Sequence, residues 1–298
     1  MRAERPQDAW FIRAASGLLL AGGVGLGALL YGVPGSAVGG ATGAAIAAAV
    51  ARRVGSRTRQ RRRLLATAFS AQHRDFLLDR YDHYQRLPTP LRTRFEDDLR
   101  LFLGEKRITG VGVDVSDELR LLVAASAVTL SLGWPEAEWD QLTEVLLYPD
   151  DFDRDYAHGG QDLAGEAHAW GTVILSVPTL LESFEYDQDG YHVGLHEFAH
   201  LLDVEQAEFD GMPSGLEAAE RRAWAELVPR EMERIREGRS ALDEYGGADP
   251  VEFFPVAVEA FFERPRVVRR RHHGLYAILA RYFAQDPAAW DDARGLSE

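Results

Sequence analysis

The chain has 298 residues, of which 46% are hydrophobic and none is cysteine. The apolar content is enough for a sizeable core, and the lack of cysteine excludes disulfides, thiolate metal ligands and a cysteine nucleophile. The net charge of −14 is unevenly divided, because residues 1–63 carry ten Arg and two acidic side chains while residues 64–298 carry 23 basic and 45 acidic ones. An acidic globular part disfavours nucleic-acid binding and favours basic or neutral substrates.

The first part of the chain has the composition of a membrane element. Residues 14–51 contain no charged side chain and are rich in Leu, Ala, Val and Gly. A helix needs about 20 apolar residues to cross the hydrocarbon, and the Pro34-Gly35 turn signal falls near the middle. The pattern predicts a transmembrane hairpin of two short spans, roughly 14–33 and 36–51. Glycines at every fourth position would let these helices approach closely.

Arginines flank this segment on both sides. Arg13 precedes it, within an N-terminal tail of residues 1–13, and a basic linker, residues 52–63, follows it. The positive-inside rule then places both ends, and the domain formed by residues 64–298, on the cytoplasmic side of a bacterial inner membrane. The basic linker is expected to contact anionic lipids. The alternatives are a cleaved signal peptide, a flexible Gly/Ala-rich tail or a single span.

The remaining sequence indicates an α+β domain with a few short strands ahead of a mostly helical half. The predicted helices are 64–105 with a break at 88–90, 117–132, 196–203, 217–236 and 250–284 with an interruption at Pro265. Strands are predicted at 145–148 and, as the most β-branched segment, 171–176. A short strand or turn is predicted at 111–113.

The pentad His196-Glu197-Phe198-Ala199-His200 is the motif that carries chemistry. On a helix, positions i and i+4 lie on the same face. Both imidazoles can therefore bind one zinc ion, while Glu197 lies beside them to take a proton from water. A surface helix that happens to carry two histidines is the alternative.

A catalytic zinc needs a third protein ligand and an open position. Positions 203 and 206 are Asp and Gln, which excludes a third histidine at the HExxHxxGxxH spacing. The ligand is then a carboxylate from a later helix, and Glu220, Glu252 and Glu259 are the candidates. Glu220 lies in a segment with the charge pattern of a solvated helix face.

Glu252 falls in the first turn of a predicted helix that begins after Asp249, a good N-cap, with Pro250 at the first helical position. It could be a rigid metal ligand or a capping-box residue that reaches back to the Asp249 amide. Glu259 lies seven residues later on the same face and is the second choice as ligand, or a group behind a ligand.

Two motifs resemble those of a known family. His196-Glu-Phe-Ala-His-Leu-Leu-Asp203, followed by Tyr245-Gly-Gly-Ala-Asp-Pro-Val-Glu252-Phe-Phe and Glu259-Ala-Phe-Phe, resembles the Mlc titration factor A (MtfA) family of zinc peptidases. The resemblance extends over roughly 75–285. The active site of that family is similar to the catalytic domain of anthrax lethal factor.

This resemblance implies a zincin-like metallopeptidase domain with Glu252 as third ligand and Tyr245 pointing into the site. It also implies that residues 171–176 form the edge strand that aligns the substrate. Pro255, which removes a backbone donor inside the helix, departs from regular helix chemistry and bears on the placement of Glu259. The N-terminal hairpin lies outside the family pattern.

The predicted function is zinc-dependent peptide hydrolysis. Zinc on His196, His200 and Glu252 would activate water, Glu197 would act as base, and the Tyr245 hydroxyl would donate to the developing oxyanion. Asp203 either holds an imidazole nitrogen from behind or lies at a solvated helix end.

Two other functions remain open from the sequence. The family is known for binding a transcriptional repressor of sugar uptake, which allows a regulatory protein that sequesters a repressor. A non-catalytic domain stabilised by a metal is the third possibility.

Overall fold

The structure is a computed structural model that forms two compact units, Met1–Ala68 and Phe69–Glu298. The second unit thus begins just after the predicted domain start at residue 64. The residues that the structure describes are 6–135, 139–152, 163–186, 188–205, 208–293 and 295.

The first unit consists of α1 (Pro6–Ala66), which is broken at Gly32. The Gly32 φ of 67° and ψ of −154° are not helical, and glycine adopts them without a Cβ clash. Pro34 lies in the first turn after this break, where its missing N–H removes no helical hydrogen bond. The chain therefore breaks at Gly32, slightly before the predicted turn at Pro34-Gly35.

The two arms of α1 contact each other at glycines. A Cβ on Gly23 would clash with the carbonyl oxygen of Gly39 and lie 3.5 Å from the Cα of Gly43. Within the described residues, no helix alone combines the length and apolar character needed to cross a bilayer. Gly17–Leu26 and Ala28–Pro34, bent by 80°, meet that criterion only as a pair, by length and composition. The predicted transmembrane hairpin is therefore not shown.

The second unit is mostly helical. Local capping explains several boundaries: the Ser70 and Ser116 side chains accept the backbone N–H groups of His73 and Leu119 at the starts of the second and fifth helices. The helices are α2 (Ala71–Arg80), α3 (Asp82–Arg86), α4 (Thr89–Glu105), α5 (Asp117–Ser131), α6 (Val177–Glu185), α7 (Val193–His200), α8 (Ala218–Arg236), α9 (Pro250–Glu263), α10 (Pro265–Arg271), α11 (His273–Phe283) and α12 (Pro287–Ala293), with a 3₁₀ turn at Glu244–Gly247.

A small mixed sheet accompanies these helices. Its strands are β1 (Arg107–Gly110), β2 (Glu144–Tyr148), β3 (Gly165–His168) and β4 (Thr172–Ser176), in the order β1-β2-β4-β3. The pairs β1/β2 and β2/β4 are parallel, and β3/β4 is antiparallel. A two-residue pair, β5 (Val204–Glu205) and β6 (Glu208–Phe209), follows α7.

The sheet order corrects the prediction that residues 171–176 form the edge strand. That segment is β4, which pairs with β2 on one side and β3 on the other. The strand at the edge next to β4 is β3, a short segment that the sequence analysis did not predict, and β1 forms the other edge. Its sequence, Gly-Glu-Ala-His, has none of the β-branched residues that mark β4.

The core lies between the sheet and three helices. Every residue of α7 is buried, and α5 and α9 are buried over most of their length, as expected of helices that are apolar on nearly all faces. Phe261, Phe262 and Phe283 pack with ring centroids 4.9–5.9 Å apart. This core fixes α7 against α9, and the candidate site lies between these two helices.

Candidate metal centre

Helix α7 presents both histidines of the pentad on one face. Its N-terminus is capped by His192, whose Nδ1 accepts the N–H of Leu195 at 3.2 Å. The imidazole centroids of His196 and His200 lie 5.0 Å apart. On the opposite face, the ring of Phe198 is fully buried against Phe102 and Trp139. This packing fixes the direction of the imidazoles.

Helix α9 brings a carboxylate to them. The Asp249 side chain accepts the N–H of Val251 at 2.9 Å, and Pro250 occupies the first helical position, so the helix start is rigid. Glu252 Oε2 lies 3.2 Å from His196 Nε2 and 3.5 Å from His200 Nε2. The carboxylate therefore faces the imidazoles.

These three groups fit a tetrahedral metal ion. His196, His200 and Glu252 each offer one ligand atom, and these atoms lie within 4.8 Å of one another. Ligands about 2.0–2.1 Å from zinc at tetrahedral angles are roughly 3.3 Å apart. The two nitrogen–oxygen distances of 3.2 and 3.5 Å match that separation.

Glu197 is buried beside this centre and touches the edge strand. A Cβ on Gly165 of β3 would lie 2.6 Å from the Glu197 Cγ, so a side chain at this position would displace Glu197. Burial raises the pKa of Glu197 to about 8; the charge of His196 lowers this pKa, whereas Glu252 and Glu259 raise it further. A carboxylate with a pKa near neutrality suits proton transfer.

Tyr245 lies at the open side of the centre. It is in the 3₁₀ turn, where its N–H donates to Asp243 at 2.9 Å, and its ring centroid is 6.0 Å from that of His196. The side chain is half-exposed. Burial, followed by the charges of Glu252 and Glu197, raises the pKa of Tyr245 to about 12, so its hydroxyl is a hydrogen-bond donor at neutral pH.

Glu259 occupies a position behind His196. Its Oε1 lies 3.4 Å from His196 Nδ1, the nitrogen that faces away from Glu252, and accepts the N–H of His192 at 3.0 Å. The carboxylate is almost completely buried. The position of Glu259 therefore fits a carboxylate that supports His196 from behind better than one that itself binds a metal. Pro255, within the same helix, does not prevent this placement.

Asp203 is fully buried just after α7. Burial and the charge of Asp210 raise its pKa to about 8. Among the described residues no hydrogen bond joins the Asp203 carboxylate to either imidazole. Glu220, the other candidate ligand, lies elsewhere: it caps α8 and is 3.5 Å from Arg281.

The sequence analysis missed three neighbours of the centre. Gly165 sits against Glu197, and Glu166 beside it raises the pKa of Glu197 through its charge. Tyr191, which is 42% exposed, has its pKa raised by burial and by the charges of Glu259 and Glu197. Only Tyr191 had a sequence signal, its place directly before the α7 cap; the other two depend on sheet order.

Two histidines on one turn of a buried helix, a carboxylate from a second helix and an acid beside them form the site geometry of a metallopeptidase. A model of the family described as glucose-regulated metallo-peptidase M90 matches residues 56–284. The chain therefore belongs to this metallopeptidase family, which implies a bound metal, usually zinc.

Relatives point to the same family. The chain is 32% identical to Mlc titration factor A of Edwardsiella ictaluri over 225 residues, which is 69% of this chain and 82% of that protein. It is 30% identical to an uncharacterized protein of Synechocystis over 225 residues, covering 70% and 82%. Mlc titration factor A of Yersinia enterocolitica is 27% identical over 207 residues, covering 63% and 76%. The predicted MtfA family membership is confirmed.

Proposed function

We propose that this protein is a zinc-dependent peptidase that uses His196, His200 and Glu252 as ligands. The observation that carries the proposal is the pair of Glu252 Oε2 distances, 3.2 and 3.5 Å to the two Nε2 atoms. They match the spacing between ligands of one tetrahedral zinc ion, roughly 3.3 Å. Membership of a metallopeptidase family supports the same reaction.

The side chains around the centre divide the work of hydrolysis. When bound, zinc would supply a water of lowered pKa and polarise the scissile carbonyl. Glu197 accepts the proton of the attacking water on its carboxylate and delivers it to the leaving amine. The Tyr245 hydroxyl donates a hydrogen bond to the developing oxyanion. Glu259 orients the His196 ring through its 3.4 Å contact with Nδ1.

The substitution Glu197→Gln tests this function. It preserves size and leaves the three ligands in place, so zinc content should be unchanged while peptide cleavage falls by at least about 100-fold. A chelator should abolish wild-type activity, and zinc should restore it. The control is Glu226→Gln, an exposed position on α8. Full cleavage by the chelated protein or by Glu197→Gln would falsify the proposal.

We also propose that residues 14–51 tether the catalytic domain to the cytoplasmic face of a membrane, with residues 1–13 as a tail and 52–63 as a basic linker. The uncharged composition and the flanking arginines support this. In the first unit, apolar side chains such as Leu29 and Val33 are exposed, and contact with lipid would remove them from water. The glycine contacts between the arms support a hairpin.

A second candidate function is binding a regulatory partner. The Edwardsiella and Yersinia relatives described above are named Mlc titration factor A, a name that links those proteins to Mlc. By analogy, this chain would sequester a transcriptional repressor, with peptidase activity secondary. The Glu197→Gln variant separates the two functions, because a cellular effect that survives without cleavage indicates binding.

A further inference from the structure

Strand β3 lies beside the candidate centre and at one edge of the sheet. Gly165 at its start contacts Glu197, and β4 is its partner on one side. Among the described residues no strand pairs with residues 165–168 on the other side. An extended peptide can add to such an edge through its backbone, and a peptide added here would run past Glu197.

Side chains alternate along β3. Gly165 and Ala167 face α7, since one contacts Glu197 and the other belongs to the main core. Glu166 and His168 therefore project from the opposite face, with 32% and 14% of their side chains exposed. Trp170 follows in a tight turn in which the Gly171 N–H donates to the His168 carbonyl at 2.8 Å. We call Glu166, His168 and Trp170 the outer row.

The outer row combines an aromatic face with a carboxylate. The Trp170 ring stacks on His168 with centroids 4.1 Å apart and planes within 8°, and it is 71% exposed. Glu166 lies 3.8 Å from His168, and within the described part of the chain no Arg or Lys pairs with it. An exposed indole with an adjacent unneutralised carboxylate is suited to a cationic side chain.

We propose that the outer row selects peptide substrates with an Arg or Lys side chain close to the scissile bond. This rests on the proposed peptidase function. In a peptide paired with β3, every second side chain lies on the face of the outer row. Glu166 then pairs with the cationic side chain nearest to Glu197, and Trp170 provides an aromatic surface further along.

The charge of the molecule favours the same substrate class. Residues 64–298 carry 45 acidic and 23 basic side chains. The negative charge of such a surface repels acidic peptides and attracts basic ones. A basic side chain on the substrate is therefore attracted both by Glu166 and by the overall negative charge of the domain.

Matched peptides test the selection. Peptides that differ only by Arg, Gln or Glu at one position, scanned over the four residues on each side of the cleaved bond, are compared by kcat/KM with the zinc-loaded full chain. At one position the Arg peptide should exceed the Glu peptide by about tenfold, and Glu166→Gln should reduce this ratio by about fivefold, as expected for a partly exposed ion pair. Glu166→Lys should reverse it.

Further variants separate charge from general damage. Trp170→Ala should weaken the preference for Arg by a few-fold, and Trp170→Phe should retain it. Glu226→Gln removes one negative charge far along the chain, on α8, and should leave the ratio unchanged. An equal ratio in wild type, Glu166→Gln and Glu166→Lys overturns the proposal.

Binding separates this inference from the proposed function. Fluorescence anisotropy measures the affinity of the labelled Arg and Glu peptides for zinc-loaded Glu197→Gln and for the double variant Glu197→Gln/Glu166→Lys. If wild type cleaves no peptide, the peptidase function fails, yet a preference for Arg that Glu166→Lys reverses still supports the outer row. If neither peptide binds, or both bind equally, the outer row is not a selecting surface.

Discussion

Two glutamates on one face of α9 acquire different chemistry from their surroundings. Burial raises the pKa of Glu252, but hydrogen bonds with His196 and His200 outweigh it and hold that pKa well below its usual value. Glu259 is more deeply buried, and there burial outweighs the charge of His196, so its pKa is raised. An ionised carboxylate suits a metal ligand, and the deeper one suits a partner for the imidazole N–H.

The zinc affinities of variants at Glu252 and Glu259 should differ. We expect Glu252→Gln, which removes a charged ligand, to weaken zinc binding by more than about 100-fold, and Glu259→Gln to weaken it by about 10–100-fold through loss of His196 orientation. Competition with a chromophoric chelator measures both. Glu220→Gln is the control because that residue pairs with Arg281. Equal affinities for the Glu252 and Glu220 variants would remove Glu252 from the ligand set.

A buried histidine outside the centre should make stability depend on pH. Burial, with smaller contributions from Arg86 and His192, holds the pKa of His83 well below 6.5. At His83 the unfolded chain therefore binds a proton below pH 6.5 that the folded chain does not. The contribution of His83 to the free energy of unfolding is fully present above that pH and is lost as the pH decreases. The slope is about 1.4 kcal/mol per pH unit for one such group.

Urea unfolding at pH 7 and pH 5 measures that loss. Between pH 7 and pH 5, His83→Phe should reduce the loss in the free energy of unfolding by about 2 kcal/mol. His273→Gln, at an exposed position, should leave this loss unchanged. His192, whose pKa is lowered by burial to about 3, leaves a residual slope in the His83 variant. An unchanged slope in His83→Phe would show that His83 is accessible to protons in the folded state.

At the level of elements, the site depends on α7, α9 and β3 meeting at fixed distances. Helix α9 contributes Glu252, Glu259 and Glu263 along one face, and Glu263 accepts the N–H of Gly190 in the loop before α7 at 2.9 Å. Carboxylates from one helix thereby hold both the imidazoles and the segment that leads into them. Strand β3 closes the other side through Gly165.

Gly165→Ala should impair the function proposed for Glu197 without affecting metal binding. The new Cβ would lie 2.6 Å from Glu197 Cγ and 2.7 Å from its Oε1, so the carboxylate must move. A displacement of about 1 Å in a catalytic group costs on the order of 100-fold in rate, while zinc content should be kept. Ala167→Gly on the same strand face is the control for loosening of β3, and kcat/KM is the measurement. Wild-type activity in Gly165→Ala would show that Glu197 is not confined by β3.

For the whole molecule, the charge asymmetry is the dominant feature. A basic, apolar first unit precedes a second unit with an excess of acidic side chains. If the proposed tether exists, anionic lipid would attract the basic first unit and would repel the acidic second unit. The proposed tether would thus leave the catalytic centre accessible to peptides in solution.

Single cysteines can test the tether, because the natural chain has none. If residues 14–51 form a two-span hairpin, Ser36→Cys, beside the predicted turn, should react with a membrane-impermeant maleimide added to intact cells, and Glu226→Cys should react only after lysis. Deleting residues 14–51 should release the protein from the membrane fraction. Reaction of neither cysteine in intact cells, with membrane association retained, would indicate a segment that enters the bilayer without crossing it.

The sequence by itself determined what is local. The i, i+4 spacing on α7, the Asp249-Pro250 start of α9 and the boundaries of α5 and α8 follow from periodicity and caps, which act within a few residues. The two-motif pattern also determined the family. Strand 145–148, as β2, and strand 171–176, as β4, were predicted for the same reason, because their β-branched and apolar runs are continuous.

Only the tertiary structure decided which groups meet across elements. It distinguished Glu252 from Glu259, because Glu252 approaches Nε2 of His196 and Glu259 approaches Nδ1. It also left the Asp203 carboxylate without a hydrogen bond to an imidazole among the described residues. It also placed β3 at the sheet edge next to β4 and brought Gly165 against Glu197. Sheet order and helix packing depend on contacts between residues distant in sequence, and no local pattern records those distances.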